Sequence, residues 1–177
     1  MEWSPSPDSG PVLADLVLAG APDPTTRQGA AFAIEAVLEG FLCHQGIPRL
    51  FRAGDPDRAL LTGDLLYALG LRAVAQPGET ESVRILADLI GVAAGLASEG
   101  RRTALTALWG AQALALGDPS DEARNAALEQ LLDGTDPDGS LLLEAVSASA
   151  SPAGADGAFG RAVDALQSLF QMADGTR

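Results

Sequence analysis

The sequence predicts an all-α protein, a helical bundle, and three observations carry that expectation. Apolar positions such as Leu86, Leu89, Ile90, Ala93 and Leu96 recur at helical spacing. Alternating strand patterns are absent. Short Gly, Pro and Asp connections separate Ala/Leu-rich segments, and four Asp-Pro pairs each stand just before one of them: Asp23-Pro24, Asp55-Pro56, Asp118-Pro119 and Asp136-Pro137. Aspartate accepts hydrogen bonds from the free N–H groups of a helix start, and proline suits the first turn. The pairs are therefore read as helix starts rather than as acid catalysts.

In chain order, a small apolar helix is expected near residues 10–20, following Gly10-Pro11. The Asp-Pro pairs open helices near 26–45, 57–76, 120–133 and 139–150. Periodicity places another at 79–99, and the uncharged run Thr103 to Gly117 makes one at 101–116. The last covers 156–173, after Ser147 to Gly157, which reads as a loop or frayed turn. Residues 1–8 are expected to be a flexible tail and 9–174 a single domain, and no internal repeat is visible.

Composition narrows the function classes. With 177 residues, 47% of them apolar, the chain can build one substantial core. A net charge of −13 argues against binding nucleic acid or an anionic membrane surface, since both require a positive field. All 11 basic residues are arginine, which excludes a lysine diphosphate clamp and Schiff-base chemistry. Cys43 is the single cysteine, so no internal disulfide forms. Met1 to Pro7 lacks the features of a signal peptide, and a cytoplasmic protein is the simplest reading. The Thr103 to Gly117 run falls short of the roughly 20 apolar residues that span a bilayer.

Six segments, in order along residues 10 to 175, resemble one family. Gly10-Pro11-Val12-Leu13 is similar to an Arg-Pro-x-Leu segment; the basic residues that precede it in the family are absent, and Pro7, Asp8 and Gly10 stand near their places. Residues 33–48, Ala-Ile-Glu-Ala-Val-Leu-Glu-Gly-Phe-Leu-Cys-His-Gln-Gly-Ile-Pro, resemble Ala-Ile-Glu-Leu-Ile-His…Leu-Ile-His-Asp-Asp-Leu-Pro. Leu61-Thr62-Gly63-Asp64-Leu65-Leu66 resembles Leu-x-Gly-Asp-x-Leu, and Gly110 to Leu116 resembles Gly-Gly-Gln-Ala-Leu-Asp-Leu with Ala115 in place of the aspartate. Asp138 to Leu142 resembles Lys-Thr-Gly-Ser-Leu, with Pro137 at the lysine. Phe159-Gly160 with Phe170-Gln171-Met172-Ala173-Asp174-Gly175 resembles Gly…Phe-Gln-x-x-Asp-Asp. These are motifs of the trans-isoprenyl diphosphate synthases.

The resemblance implies the isoprenoid synthase fold, truncated at the C-terminus, with the chemistry removed. That family ionises an allylic diphosphate, and its paired aspartates hold the magnesium ions that stabilise the departing pyrophosphate. Here the first motif reads His44, Gln45, Gly46, and the second reads Gln171, Asp174, Gly175. The family comparison thus implies that magnesium binding is lost and that no cofactor is retained. The favoured reading is a non-catalytic homologue in an isoprenoid-biosynthesis context, either a homodimer or a heteromer with an intact prenyl synthase. The family's interface implies Leu65 to Leu71 and Val83 to Ala93 as the contact surface, with Leu66 and Leu89 as test positions. One alternative is a prenyl- or lipid-binding protein using a residual apolar channel around Gly40, Phe41 and Phe170. Another is a residual or altered prenyltransferase.

Glu35 and Glu39 lie one helical turn apart, with His44 nearby, and form the one visible candidate metal cluster. The preferred reading is that they face water. Arg49 and Arg52 are likewise read as solvent-facing charges near the negative end of helix 26–45. His44 is expected to make a structural hydrogen bond or to favour the helix C-terminus as a partial cation. Cys43 reads as a buried inert thiol, and Asp64 matches a family position that is not a metal ligand. Trp109 and Phe41 are read as core residues, although Phe41 stands where the family sets the floor of its prenyl pocket. Trp3 lies in the tail as an anchor or an unstructured residue.

Overall fold

The computed structural model describes residues 10–21, 27–51, 55–75, 80–152 and 154–174, with the side chain of Asp174 outside that set. The expected tail of residues 1–8, with Trp3, Pro7 and Asp8, as well as Asp23-Pro24, Arg52 and Gly175, also lies outside the described residues. Within them the fold is all α-helix: α1 Ala14–Gly20, α2 Gln28–His44, α3 Pro56–Val74, α4 Thr80–Ser98, α5 Arg102–Gly117, α6 Glu122–Asp133, α7 Ser140–Ala150 and α8 Asp156–Asp174. No described helix is long and apolar enough to cross a membrane.

The helix starts follow local hydrogen-bond chemistry. At α3, Asp55 accepts from the Asp57 N–H at 3.1 Å and Pro56 occupies the first turn, as the Asp-Pro signal requires. At α6 the expectation is corrected. Asp118 closes a turn onto Ser120, and the cap is Asp121, which accepts from the Arg124 N–H at 3.0 Å. α7 uses two aspartates: Asp138 accepts from Ser140 N–H, and the buried Asp136 accepts from Leu142 N–H at 3.1 Å. Gly139, between them, has φ of 74°, and a Cβ there would stand 2.4 Å from Ala104 Cα. Only glycine lets that turn rest on the start of α5. The expected loop from Ser147 shortens, because α7 continues to Ala150.

α5 is buried on every side from Ala104 to Gly117, so it forms the axis of the domain. α1, α2, α4, α6, α7 and α8 pack around it. At its centre Trp109 is fully buried and meets Phe41 edge-on at 5.6 Å, and Phe41 meets Phe170 at 5.9 Å. This confirms Trp109 and Phe41 as core residues.

α3 packs differently. It lies antiparallel against α2 through glycine and alanine, with Gly29 opposite Ala73, Ala33 opposite Gly70 and Gly40 opposite Gly63. A Cβ on Gly70 would sit 2.7 Å from Val37 Cγ2 and 2.8 Å from the Ala33 carbonyl oxygen. The two backbones touch where other helix pairs interpose side chains. Of the larger apolar residues of α3, Tyr67 and Leu71 pack against the core, while Leu60, Leu61 and Leu65 point away from it. Leu61 is 69% exposed and Leu65 57%, while the buried residues of α3 are Ala59, Gly63, Gly70 and Val74.

Candidate functional site

The first candidate motif sits where α2 ends. Gly46 takes φ of 77°, and the Ile47 N–H reaches back to the Leu42 carbonyl at 2.9 Å, which terminates the helix. Glycine here is a stop signal without a side chain. His44 stacks on Tyr67 with ring centroids 5.2 Å apart, in the space left by Gly63. Its Nε2 lies 3.2 Å from Asp64 Oδ1, but the carboxylate is off the N–H direction and no hydrogen bond forms. The expected structural hydrogen bond is thus replaced by ring stacking beside a carboxylate. Behind it, Cys43 is buried, and burial first, then the charge of Glu39, pushes its thiol up to about 12. It stays protonated at neutral pH, which makes it a poor nucleophile.

The second motif ends α8 at the same end of the bundle. Phe41 of α2 and Gln45 just after it converge with Phe170 and Ala173 from α8 on one cavity of about 20 Å³, closed by Leu96 and Leu105. That volume holds about one water molecule. Gly40 is not part of the lining; it faces α3 against Tyr67 and Gly63. Gln171 is exposed, and Gly46 likewise lies off the cavity lining.

Two arginines that drew no attention in the sequence complete this end. Arg102 donates from Nη1 to the Phe170 carbonyl, and Arg101 donates from Nε to the Pro137 carbonyl at 2.7 Å. The signal was available, because a cationic pair at a helix N-terminus opposes the helix dipole and implies acceptors elsewhere. Here the acceptors are backbone oxygens of the last turn of α8 and of the turn before α7.

Glu35 and Glu39 do not face water, and neither does Arg49. Glu35 Oε1 accepts from the N–H groups of Val12, Leu13 and Ala14 at 2.6, 2.5 and 2.9 Å, so it caps α1 from another helix. Glu39, 1% exposed, accepts from the N–H groups of Arg49 and Leu50 at 2.8 and 2.9 Å. The Arg49 side chain, 7% exposed, donates to Glu39 at 3.0 Å and to Glu35 at 3.3 Å. The correction has a plain cause. Five backbone donors at the edges of α1 and of the turn after α2 need acceptors, and carboxylates one helical turn apart supply them. These oxygens are committed to N–H groups. Among the described residues no three His, Cys, Asp or Glu side chains group to hold a metal ion.

No family model, curated protein or solved structure matches this chain.

Proposed function

We propose that this domain is a non-catalytic protein resembling the isoprenyl diphosphate synthases, and that it acts by association through the outer face of α3. The observation that carries the proposal is the inverted orientation of that helix. Leu61, Leu65 and Ala68 form one stripe at helical spacing, diametrically opposite Gly63 and Gly70, which face the body. Leu60, 44% exposed, flanks the stripe. Burying a leucine side chain is worth about 1.5–3 kcal/mol, so a face that turns Leu60, Leu61 and Leu65 outward, opposite the inward glycines, gains from being covered.

The end of the bundle supports the non-catalytic half of the reading. Gln45 and Gly46 stand where the resemblance calls for carboxylates, and Phe41, Phe170 and the Arg102-to-carbonyl bond leave only a cavity of about 20 Å³ there. A prenyl chain held in a residual channel would need more room than about 20 Å³, so the geometry does not favour that alternative. The contact surface also shifts from the one the resemblance implies. Leu89 is fully buried in the core, as are Leu86 and Ala93, so charge at Leu89 would unfold the domain and report nothing about an interface.

Two-fold pairing of α3 with α3 of a second copy is the favoured arrangement, with an intact prenyl synthase as the other partner of the same face. Light scattering on the native chain and on Leu65→Glu tests it. The native chain should scatter as a dimer, or co-purify with a synthase, and the variant should halve in mass with its helical circular dichroism intact. A native chain that is monomeric at every workable concentration and carries no synthase overturns the proposal.

A further inference from the structure

A second groove, with a lining separate from that of the Phe41 cavity and from the outer face of α3, runs between α4 and α6 with α5 as its floor. Its volume is about 330 Å³, at the lower end of small-molecule sites. Ile85 and Val92 of α4 form one wall, Leu128 and Leu132 of α6 the other, and Leu108 and Ala115 of α5 the base.

One residue does not belong in such a lining. Gln112, midway along α5 and 5% exposed, lines the groove, and its side-chain amide has no hydrogen-bond partner among the described residues. The amide oxygen and nitrogen are not among the side-chain atoms sealed from water without a partner, so both keep a path to solvent, which a leucine in the same place would not need. The groove is the route by which the amide is reached. Asn125, the other amide in the lining, already donates to the Pro119 carbonyl, which leaves Gln112 as a polar group convergent on apolar walls, the general design of a small-ligand site.

The rim sets the charge of what enters. Glu81, Asp88 and Glu129 stand around the opening with a single cation, Arg84, which is already paired to Glu81 at 2.6 Å and to Asp88 at 2.7 Å. An anion approaching Gln112 therefore meets net negative charge. We propose that this groove binds a small neutral amphiphile, an apolar chain bearing one amide-, hydroxyl- or carbonyl-type group that pairs with Gln112, and that it rejects the corresponding carboxylate or phosphate.

The test titrates the full, isotope-labelled chain with octanamide and, separately, with octanoate at neutral pH, following by NMR the Gln112 side-chain NH2 signals and the methyl signals of Ile85, Val92 and Leu128, the latter also in the variants. Octanamide should shift those signals and saturate, and octanoate should bind at least about tenfold more weakly. Gln112→Leu keeps the shape and removes the amide, so it should weaken octanamide about tenfold and erase the preference. Leu132→Glu changes an exposed rim side chain, leaves the fold intact and should weaken octanamide as well. If Gln112→Leu does not fold, the anion comparison and Leu132→Glu decide the matter. The proposal is overturned if octanamide leaves the Gln112 signals unmoved, if octanoate binds equally well, or if Leu132→Glu or a folded Gln112→Leu binds octanamide like the native chain. It is also overturned if the groove signals follow the protein's own concentration instead, which would make the groove a contact between copies.

Discussion

Arg49 reaches back across the end of α2 to Glu39, Nε to Oε2 at 3.0 Å, with both side chains sealed from water. The same guanidinium touches Glu35, whose other oxygen holds the start of α1, so one arginine joins α1, α2 and the turn that follows α2. Removing one partner of a buried pair strands the other. Arg49→Met is therefore expected to destabilise the fold by about 3–5 kcal/mol in urea unfolding, because two carboxylates lose their counterion. The double variant Glu39→Gln with Arg49→Met should cost less than the two single changes added together. A single variant as stable as the native chain would show that the clamp contributes nothing.

Two pairs of glycines give opposite forecasts. Gly63 and Gly70 lie against α2, and a Cβ at either meets atoms at 2.7–3.0 Å. Alanine at Gly70 should force α2 and α3 apart and cost about 1–3 kcal/mol. Gly91 and Gly95 of α4 have nothing within 4 Å of an added Cβ. Alanine at Gly95 should raise stability by about 0.5–1 kcal/mol, since only the backbone entropy of the unfolded chain changes. Chemical denaturation of the two single variants settles the contrast, and equal midpoints would contradict the packing described for α3.

Acid should loosen α6 before neutral pH does. The Arg124 backbone N–H first, then the Ser149 hydroxyl, holds the Asp121 carboxyl below its ordinary range. A carboxyl depressed in the folded state adds stability that is fully present above its unfolded pKa, near 4, and is lost as pH falls through the folded value. Asp121→Ala should cost about 1 kcal/mol at neutral pH. The difference from the native chain should shrink below about pH 4. A pH-independent difference would mean that the cap acts through something other than its charge.

Chain elongation should be undetectable. Purified protein given an allylic diphosphate, isopentenyl diphosphate and magnesium is expected to form no longer prenyl product than a heat-killed control. Magnesium with pyrophosphate should leave the melting temperature unchanged, because a ligand raises it only by preferring the folded state. Product above control, or a shift of several degrees, would return the molecule to the enzymes.

The helices were legible in the sequence because their signals are local. Periodicity and the Asp-Pro pairs put α2 at 26–45 and α8 at 156–173, against observed spans of Gln28–His44 and Asp156–Asp174. Competition between neighbouring caps was harder to judge, since Asp118 and Asp121 differ only in which one finds a free N–H at the helix start. The Glu35 and Glu39 network was hidden because its donors lie on other segments, Val12 to Ala14 upstream and Arg49 to Leu50 downstream. No spacing rule within one helix announces a cap supplied from another. The small-residue seam was written plainly, as Ala33 and Gly40 on α2 and Gly63 and Gly70 on α3, seven residues apart in each case. Its packing role is hard to tell in sequence, because a glycine matches a motif whether it faces solvent or another backbone, and only the approach of α2 to Gly63 and Gly70 distinguishes the two. At the candidate site, the meeting of Phe41 and Gln45 with Phe170 required the three-dimensional path of α5, which no short motif encodes.

The inverted packing of α3 has a dynamic consequence. A helix whose fully buried residues are only Ala59, Gly63, Gly70 and Val74, with Tyr67 and Leu71 half-buried, gives up less apolar area when it lifts away than the wholly buried α5, so its amides should exchange with solvent through local opening before those of α5. Whatever covers Leu61 and Leu65 adds its binding energy to the cost of that opening. Amide protection along α3 therefore becomes a gauge of occupancy at its outer face, reading association from the stiffness of a single helix.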